Sequence, residues 1–149
     1  MYKKMLVPLD GSELAECVLP HVIAIAAGCG IGKVTLLRVI EPIPPETPPA
    51  TDFEAIQEAS MKTAEKYLAK IKTKLTKKGL NVETKVLLGR PGEVICEFAD
   101  RNKMDIIALA THGRSGISRW IFGSVADKLI RCCSMPVVLI RPQDYEHGS

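Results

Sequence analysis

The sequence predicts a three-layer α/β/α fold around a five-stranded parallel sheet, and three observations carry that prediction. Apolar runs at residues 5–7, 34–40, 82–88, 105–109 and 136–140 have the length and β-branched content of buried strands. Between them lie segments whose apolar residues recur at helical spacing. Alternating strands and helices demand parallel pairing through right-handed crossovers, and strands apolar along their whole length need cover on both faces.

The first strand, Met5-Leu6-Val7, stops at Pro8. Asp10-Gly11-Ser12 then supplies a turn and an N-cap, and Leu14, Ala15, Val18, Leu19, Val22, Ile23 and Ala26 predict a helix that runs to Gly28. After the second strand, Pro42, Pro44, Pro45, Pro48 and Pro49 break the chain, so residues 42–51 are expected to form a mobile connection. From 52 to 78 the pattern is helical, with Ile56, Ser60, Ala64, Tyr67, Ile71 and Leu75 as the inward stripe. Lys62, Lys66, Lys70 and Lys74 form a separate row, read as the solvated face.

Gly79 ends that helix, residues 82–88 make the third strand, and Gly89-Arg90-Pro91-Gly92 leads into a helix carrying Val94, Ile95 and Phe98. The fourth strand is followed by a polar, Gly-rich segment at 111–118, a helix at about 124–131 with Gly123-Ser124 as turn and N-cap, and the fifth strand. One domain is expected over residues 1–142, with a C-terminal tail at 143–149.

The 149 residues are 46% hydrophobic and 25% charged, which suits one globular core. A net charge of +3 with interspersed signs gives no nucleic-acid footprint. Neither a secretory signal nor a run of the roughly 20 apolar residues that a membrane helix needs is visible, so a cytoplasmic protein with no membrane partner is expected. Cys17, Cys29, Cys96, Cys132 and Cys133 lack zinc or redox spacing and read as buried free thiols, with Cys132 and Cys133 the candidates for redox sensitivity.

Ligands of such sheets sit at the carboxyl ends of strands, where strand order reverses. Three strand ends therefore matter: Pro8-Leu9-Asp10-Gly11-Ser12, Val39-Ile40-Glu41, and Ala110-Thr111-His112-Gly113-Arg114-Ser115-Gly116. The third is the most informative. It carries small residues and glycines that let backbone N–H groups approach an anion, and it reaches Gly123-Ser124 and Val125 where a helix begins. Gly28-Cys29-Gly30-Ile31-Gly32-Lys33 imitates a phosphate loop, but Ala27 and Val34 stand where glycine and Ser or Thr are required, and it leads from helix to strand. His112 has no partner set for nucleophilic catalysis, and His21 and His147 suggest no metal cluster, so no catalytic or metal-ligating residue is assigned.

Val7-Pro8-Leu9-Asp10-Gly11-Ser12 resembles the opening of universal stress proteins. The nucleotide-binding branch of that family has glycine, two residues, glycine, nine residues, glycine, then Ser or Thr. Gly113, Gly123 and Ser124 match the second half with the same gap, while Ala110 replaces the first glycine. Thr111-His112-Gly113-Arg114-Ser115-Gly116 and Met135-Pro136-Val137-Val138-Leu139-Ile140 extend the likeness to the fifth strand. The resemblance implies strand order 3-2-1-4-5 and a regulatory protein of the stress response that binds ATP or AMP, with Mg²⁺ on the phosphates. The nucleotide-binding set it implies is Pro8, Leu9, Asp10, Val39, Ala110, Thr111, His112, Gly113, Arg114, Gly116, Gly123, Ser124 and Val125. It also implies a homodimer through Pro136, Val137, Val138, Leu139 and Ile140. Two other readings are a slow ATP hydrolase or phosphoryl-transfer enzyme using His112 or Asp10, and a nucleotide-free interaction protein.

Overall fold

At the centre of the sheet Leu6 lies in register with Ile107 of the adjacent parallel strand, both with no exposed surface. The computed structural model that places them describes residues 1–44, 52–111 and 123–142. Its elements follow the expected alternation: β1 (Lys4–Pro8), α1 (Leu19–Cys29), β2 (Lys33–Ile40), α2 (Phe53–Lys77), β3 (Val82–Leu88), α3 (Pro91–Arg101), β4 (Ile106–Ala110), α4 (Ser124–Cys132) and β5 (Val137–Ile140). The strands pair in parallel in the order β3-β2-β1-β4-β5, as the resemblance implied.

Two apolar layers follow from the period-two alternation of the strands. Met5, Val7, Val34, Leu36 and Ile106 face α1 and α2, where Val22, Leu68, Ile71 and Leu75 meet them. Leu6, Leu37, Val39, Ile107 and Leu109 face α3 and α4, against Ile95, Ala99, Ala126 and Leu129. Asp105 ties the sheet together at its amino edge, because its Oδ2 accepts the backbone N–H of Lys3 and of Lys4, each at 2.9 Å. Those two bonds hold its carboxyl below the usual carboxylate range.

Four local expectations are corrected. The first helix is not continuous from the Asp10 turn: Ala15–Val18 is a 3₁₀ turn and the α-helix starts at Leu19. Pro20 is the cause, since it lacks the N–H an α-helix interior would need and is tolerated in the first turn. The helix also continues past Gly28 to Cys29, ending at Gly30 with φ 68° in the left-handed region. On α2 the buried stripe is Ala64, Leu68, Ile71 and Leu75, whereas Ile56 is 45% exposed and Ser60 is exposed. Finally, the N-cap of α4 is Gly123, and Ser124 is the first helical residue.

Lys62, Lys66, Lys70 and Lys74 are exposed, as expected of a solvated face. The stretch 28–33 passes from the end of α1 into β2, the helix-to-strand course that disqualified it as a phosphate loop. Residues 45–51 of the Pro-rich connection, and the tail at 143–149, lie outside the described residues. Among the described residues no helix is long and apolar enough to cross a membrane.

A crevice where β1 and β4 part

The site begins with a loss of strand pairing. The β1–β4 ladder covers only Met5 opposite Ile106 and Leu6 opposite Ile107, whereas β1 stays with β2 up to Pro8 opposite Leu37. Past that point Leu9 N–H still donates to Leu37 O at 2.9 Å, and on the other side Thr111 N–H donates to Ile140 O at 2.9 Å. Each strand end is therefore held by its outer neighbour, and a gap opens between them. This is the switch point where open α/β sheets bind ligands.

The gap is a cavity of about 250 Å³ lined by Pro8, Leu9 and Asp10 from β1, Leu37, Arg38 and Val39 from β2, and Leu109, Ala110 and Thr111 from β4. Gly123, Ser124, Val125 and Ala126 from the start of α4 and Pro91 and Ile95 from α3 close it. A wider groove of about 710 Å³ continues outward over Gly89, Arg90, Pro91, Gly92, Ser124, Val125 and Lys128.

Of the residues expected at a nucleotide, the structure thus gathers Pro8, Leu9, Asp10, Val39, Ala110, Thr111, Gly123, Ser124 and Val125 into one lining. His112, Gly113, Arg114 and Gly116 lie outside the described residues. Leu37, Arg38, Pro91 and Ile95 were not anticipated. Leu37 was readable, since two residues before Val39 on a strand is the same face. Pro91 and Ile95 arrive from a crossover helix, and no spacing in the sequence announces that.

The polar end of the crevice is built around Thr111. Its backbone is fully engaged, with the N–H on Ile140 and the carbonyl accepting Gly123 N–H at 2.8 Å. Its hydroxyl is buried and has no hydrogen-bond partner among the described residues. Beside it, α4 opens on Gly123, which has no side chain to cap it, and Asp127 N–H donates to Gly123 O at 2.9 Å. The N–H groups of Ser124, Val125 and Ala126 precede that bond and belong to the positive end of the helix dipole.

Opposite stands Asp10, whose Oδ1 accepts Ser12 N–H at 2.9 Å and the Ser12 hydroxyl at 2.5 Å, while Ser12 Oγ accepts Ala15 N–H at 3.2 Å. This chain of bonds fixes the turn after β1 and aims the carboxylate. Behind it the Tyr67 hydroxyl donates to Glu16 Oε2 at 3.1 Å, anchoring the 3₁₀ turn to α2. Burial, followed by the charge of Glu16 and its hydrogen bond, pushes the Tyr67 phenol well above its ordinary value, and the Asp10 charge adds to the push.

A parallel sheet covered on both faces, with the start of a helix at its switch point, is the open α/β architecture that places ligands at the carboxyl ends of its strands. The universal stress protein family model matches residues 1–141, and the chain belongs to that family. It is 32% identical over 142 residues to universal stress protein MJ0531 of Methanocaldococcus jannaschii, covering 95% of this chain and 83% of that protein. The structure of MJ0577 from the same organism superposes with a TM-score of 0.85 at 30% identity, over 97% of this chain and 99% of that one. The universal stress protein of Archaeoglobus fulgidus in complex with dAMP superposes with a TM-score of 0.67 at 25% identity, over 93% and 98% of the two chains.

Proposed function

We propose that the crevice binds an adenine nucleotide, AMP or ATP, and that the protein is a nucleotide-dependent regulator of the stress response. One observation carries the reading: Leu37, Val39 and Leu109 line the same cavity as Thr111, whose buried hydroxyl has no hydrogen-bond partner among the described residues, and the start of α4, whose N-cap is a glycine. The apolar part suits a purine, and the polar end suits phosphate oxygens. A cavity of about 250 Å³ is close to the lower end of the range for ligand sites, about 300–1,000 Å³, and the adjoining groove gives further phosphates room. A family relative bound to dAMP supports the ligand class.

In this reading Asp10 meets the nucleoside and Val39 borders the base. Thr111, Gly123, Ser124 and Val125 meet the phosphates, together with His112, Gly113, Arg114 and Gly116, which lie outside the described residues. Where ATP is the ligand, Mg²⁺ would be held mainly by phosphate oxygens and water, with Asp10 as the carboxylate in the lining. Mass spectrometry of the purified protein after denaturation tests the reading, with AMP or ATP released as the expected result. An empty protein whose melting temperature does not move on adding either nucleotide overturns it in favour of a nucleotide-free interaction role.

The same proposal includes a homodimer through the strand end Pro136, Val137, Val138, Leu139 and Ile140. β5 is an outer strand of the sheet and its four residues are only partly buried, so among the described residues its outer edge offers backbone groups with no pairing strand beside apolar side chains.

A further inference from the structure

Three of the five cysteines, all expected to be buried free thiols, meet at one place. Cys96 lies on α3 and is 8% exposed, Cys132 is the exposed last residue of α4, and Cys133 follows it half-buried. Their sulfur atoms all fall within 4.8 Å of one another. Cys96 and Cys132 are joined as a disulfide, and Cys133 Sγ is 3.4 Å from Cys96 Sγ. Cys29, by contrast, is exposed. Sequence spacing gave no sign of the cluster, because it arises from the packing of α3 on α4 across a separation of 36 residues.

We propose that Cys96, Cys132 and Cys133 form a reversible thiol-oxidation site whose co-reactant is a low-molecular-weight disulfide of the glutathione type. The burial of the three thiols assigns their roles. Cys132 is the most exposed of the three residues and is assigned as the entry thiol. As a thiolate it attacks one sulfur of the small disulfide, forming a mixed disulfide and releasing one small thiolate. Cys96, after losing its proton, attacks Cys132 Sγ and expels the second small thiolate. The two protein thiols have then given up two electrons and two protons, and the small disulfide has become two small thiols.

The Cα atoms of Cys96 and Cys132 are 6.5 Å apart, inside the range of about 4.4–6.8 Å that a disulfide spans without moving the backbone. Cys133 adds a second exit. Its thiolate can attack Cys96 Sγ from its place beside it, forming Cys96–Cys133 and freeing Cys132 as a thiolate, with no net change in oxidation. Burial and then the Asp100 charge push the Cys133 thiol up, which agrees with Cys132 being the entry thiol. The link ties together the two helices whose N-terminal halves wall the crevice, through Pro91 and Ile95 on one and Ser124 and Val125 on the other.

The experiment equilibrates the full chain in graded mixtures of reduced and oxidised glutathione, blocks remaining thiols by alkylation, and maps the linked peptides by mass spectrometry. The expected result is one internal link, Cys96–Cys132, that forms and disappears reversibly with a single midpoint and is lost in Cys96→Ser. Because Cys96 is buried, Cys96→Ser also perturbs packing, so the exposed-site variant Cys132→Ser carries the decisive arm. Folded Cys132→Ser, checked by circular dichroism, should instead form Cys96–Cys133.

Glutathione adducts at Cys132 without any internal link, or a folded Cys132→Ser that forms none, overturns the proposal. So does reduced protein that takes up Zn²⁺ and whose three thiols then resist oxidised glutathione, an outcome that makes the cluster a metal site instead.

Discussion

Gly123 and Thr111 approach more closely than any side chain on Gly123 would allow. The Gly123 N–H donates to Thr111 O at 2.8 Å, and a Cβ on Gly123 would stand 2.8 Å from that same oxygen. Gly123 has φ −55° and ψ 159°, a conformation open to any residue, so its glycine is required by contact and not by dihedral angle. The start of α4 is pressed onto the end of β4 by this one pair. Gly123→Ala must push two backbones apart, and the expected loss is about 1–3 kcal/mol of stability, the usual cost of overpacking. Thermal or urea denaturation reads it, and an unchanged midpoint would show that the contact relaxes freely.

Thr111→Val separates ligand binding from folding. The hydroxyl is buried with no partner among the described residues, so replacing it by a methyl removes an unsatisfied polar atom. Stability without ligand should be unchanged or rise by up to about 1 kcal/mol, while AMP affinity falls several-fold if the hydroxyl meets the nucleotide. Calorimetry and a denaturation curve on the same preparation give both readouts. A destabilised variant with intact AMP binding would assign the hydroxyl a structural partner instead.

Ser124→Ala should act on binding alone. Since Gly123, not Ser124, is the N-cap, and no hydrogen bond of the Ser124 hydroxyl is found among the described residues, removing that hydroxyl should leave stability within about 0.5 kcal/mol. A lost hydrogen bond to a charged phosphate is worth about 1.5–3 kcal/mol, so affinity for ATP should fall roughly 10- to 150-fold. Titration calorimetry checks it, and wild-type affinity in the variant would remove Ser124 from the phosphate site.

How much of this was legible depended on whether the cause lay along the chain or across it. The strands were readable because their apolar runs end at Pro8, at the Gly89 turn and at the start of the small-residue loop. Asp52, expected as the first helical residue, is instead the N-cap of α2, its Oδ1 accepting Ala55 N–H at 3.1 Å. Ile56 was wrongly included because α2, at 25 residues about 37 Å long, is longer than the roughly 26 Å of the eight-residue β2, and its buried residues begin only at Ala64. Leu68 was missed because Tyr67 was taken in its place, although Leu68 stands four residues after Ala64 on the same face. The crevice lining from β1, β4 and α4 could be placed from strand ends and a family motif. The unpartnered Thr111 hydroxyl and the three-cysteine cluster could not, because both are set by packing between elements distant in the chain.

The Tyr67–Glu16 pair predicts an alkaline limb in the stability profile. The Tyr67 phenol is held above its unfolded value of about 10, so the folded state retains the proton more strongly. Its contribution is therefore fully present below about pH 10 and is lost as pH rises above it toward the folded value. Tyr67→Phe should flatten that limb, although deprotonation of other groups will still destabilise the protein at high pH. Urea unfolding at pH 8 and pH 11 for both proteins measures the difference, and identical pH dependence would remove Tyr67 from the account.

The dimer prediction rests on the exposed edge of β5. β4 pairs with it on one side, from Ile107 opposite Val137 to Ala110 opposite Ile140, and among the described residues no strand pairs with the other. An apolar edge left in that state invites pairing with a second copy, and a lysine placed on it is the usual natural deterrent. Val138 contacts the core as well as solvent, so Val138→Lys risks lowering monomer stability along with association. Val138→Thr keeps the shape and β propensity and serves as the control for folding. Light scattering at micromolar concentration should find a dimer for the parent and for Val138→Thr, and a shift toward monomer for Val138→Lys at unchanged secondary structure. A monomeric parent protein at that concentration would end the dimer proposal without touching the nucleotide site, whose described lining comes from a single chain.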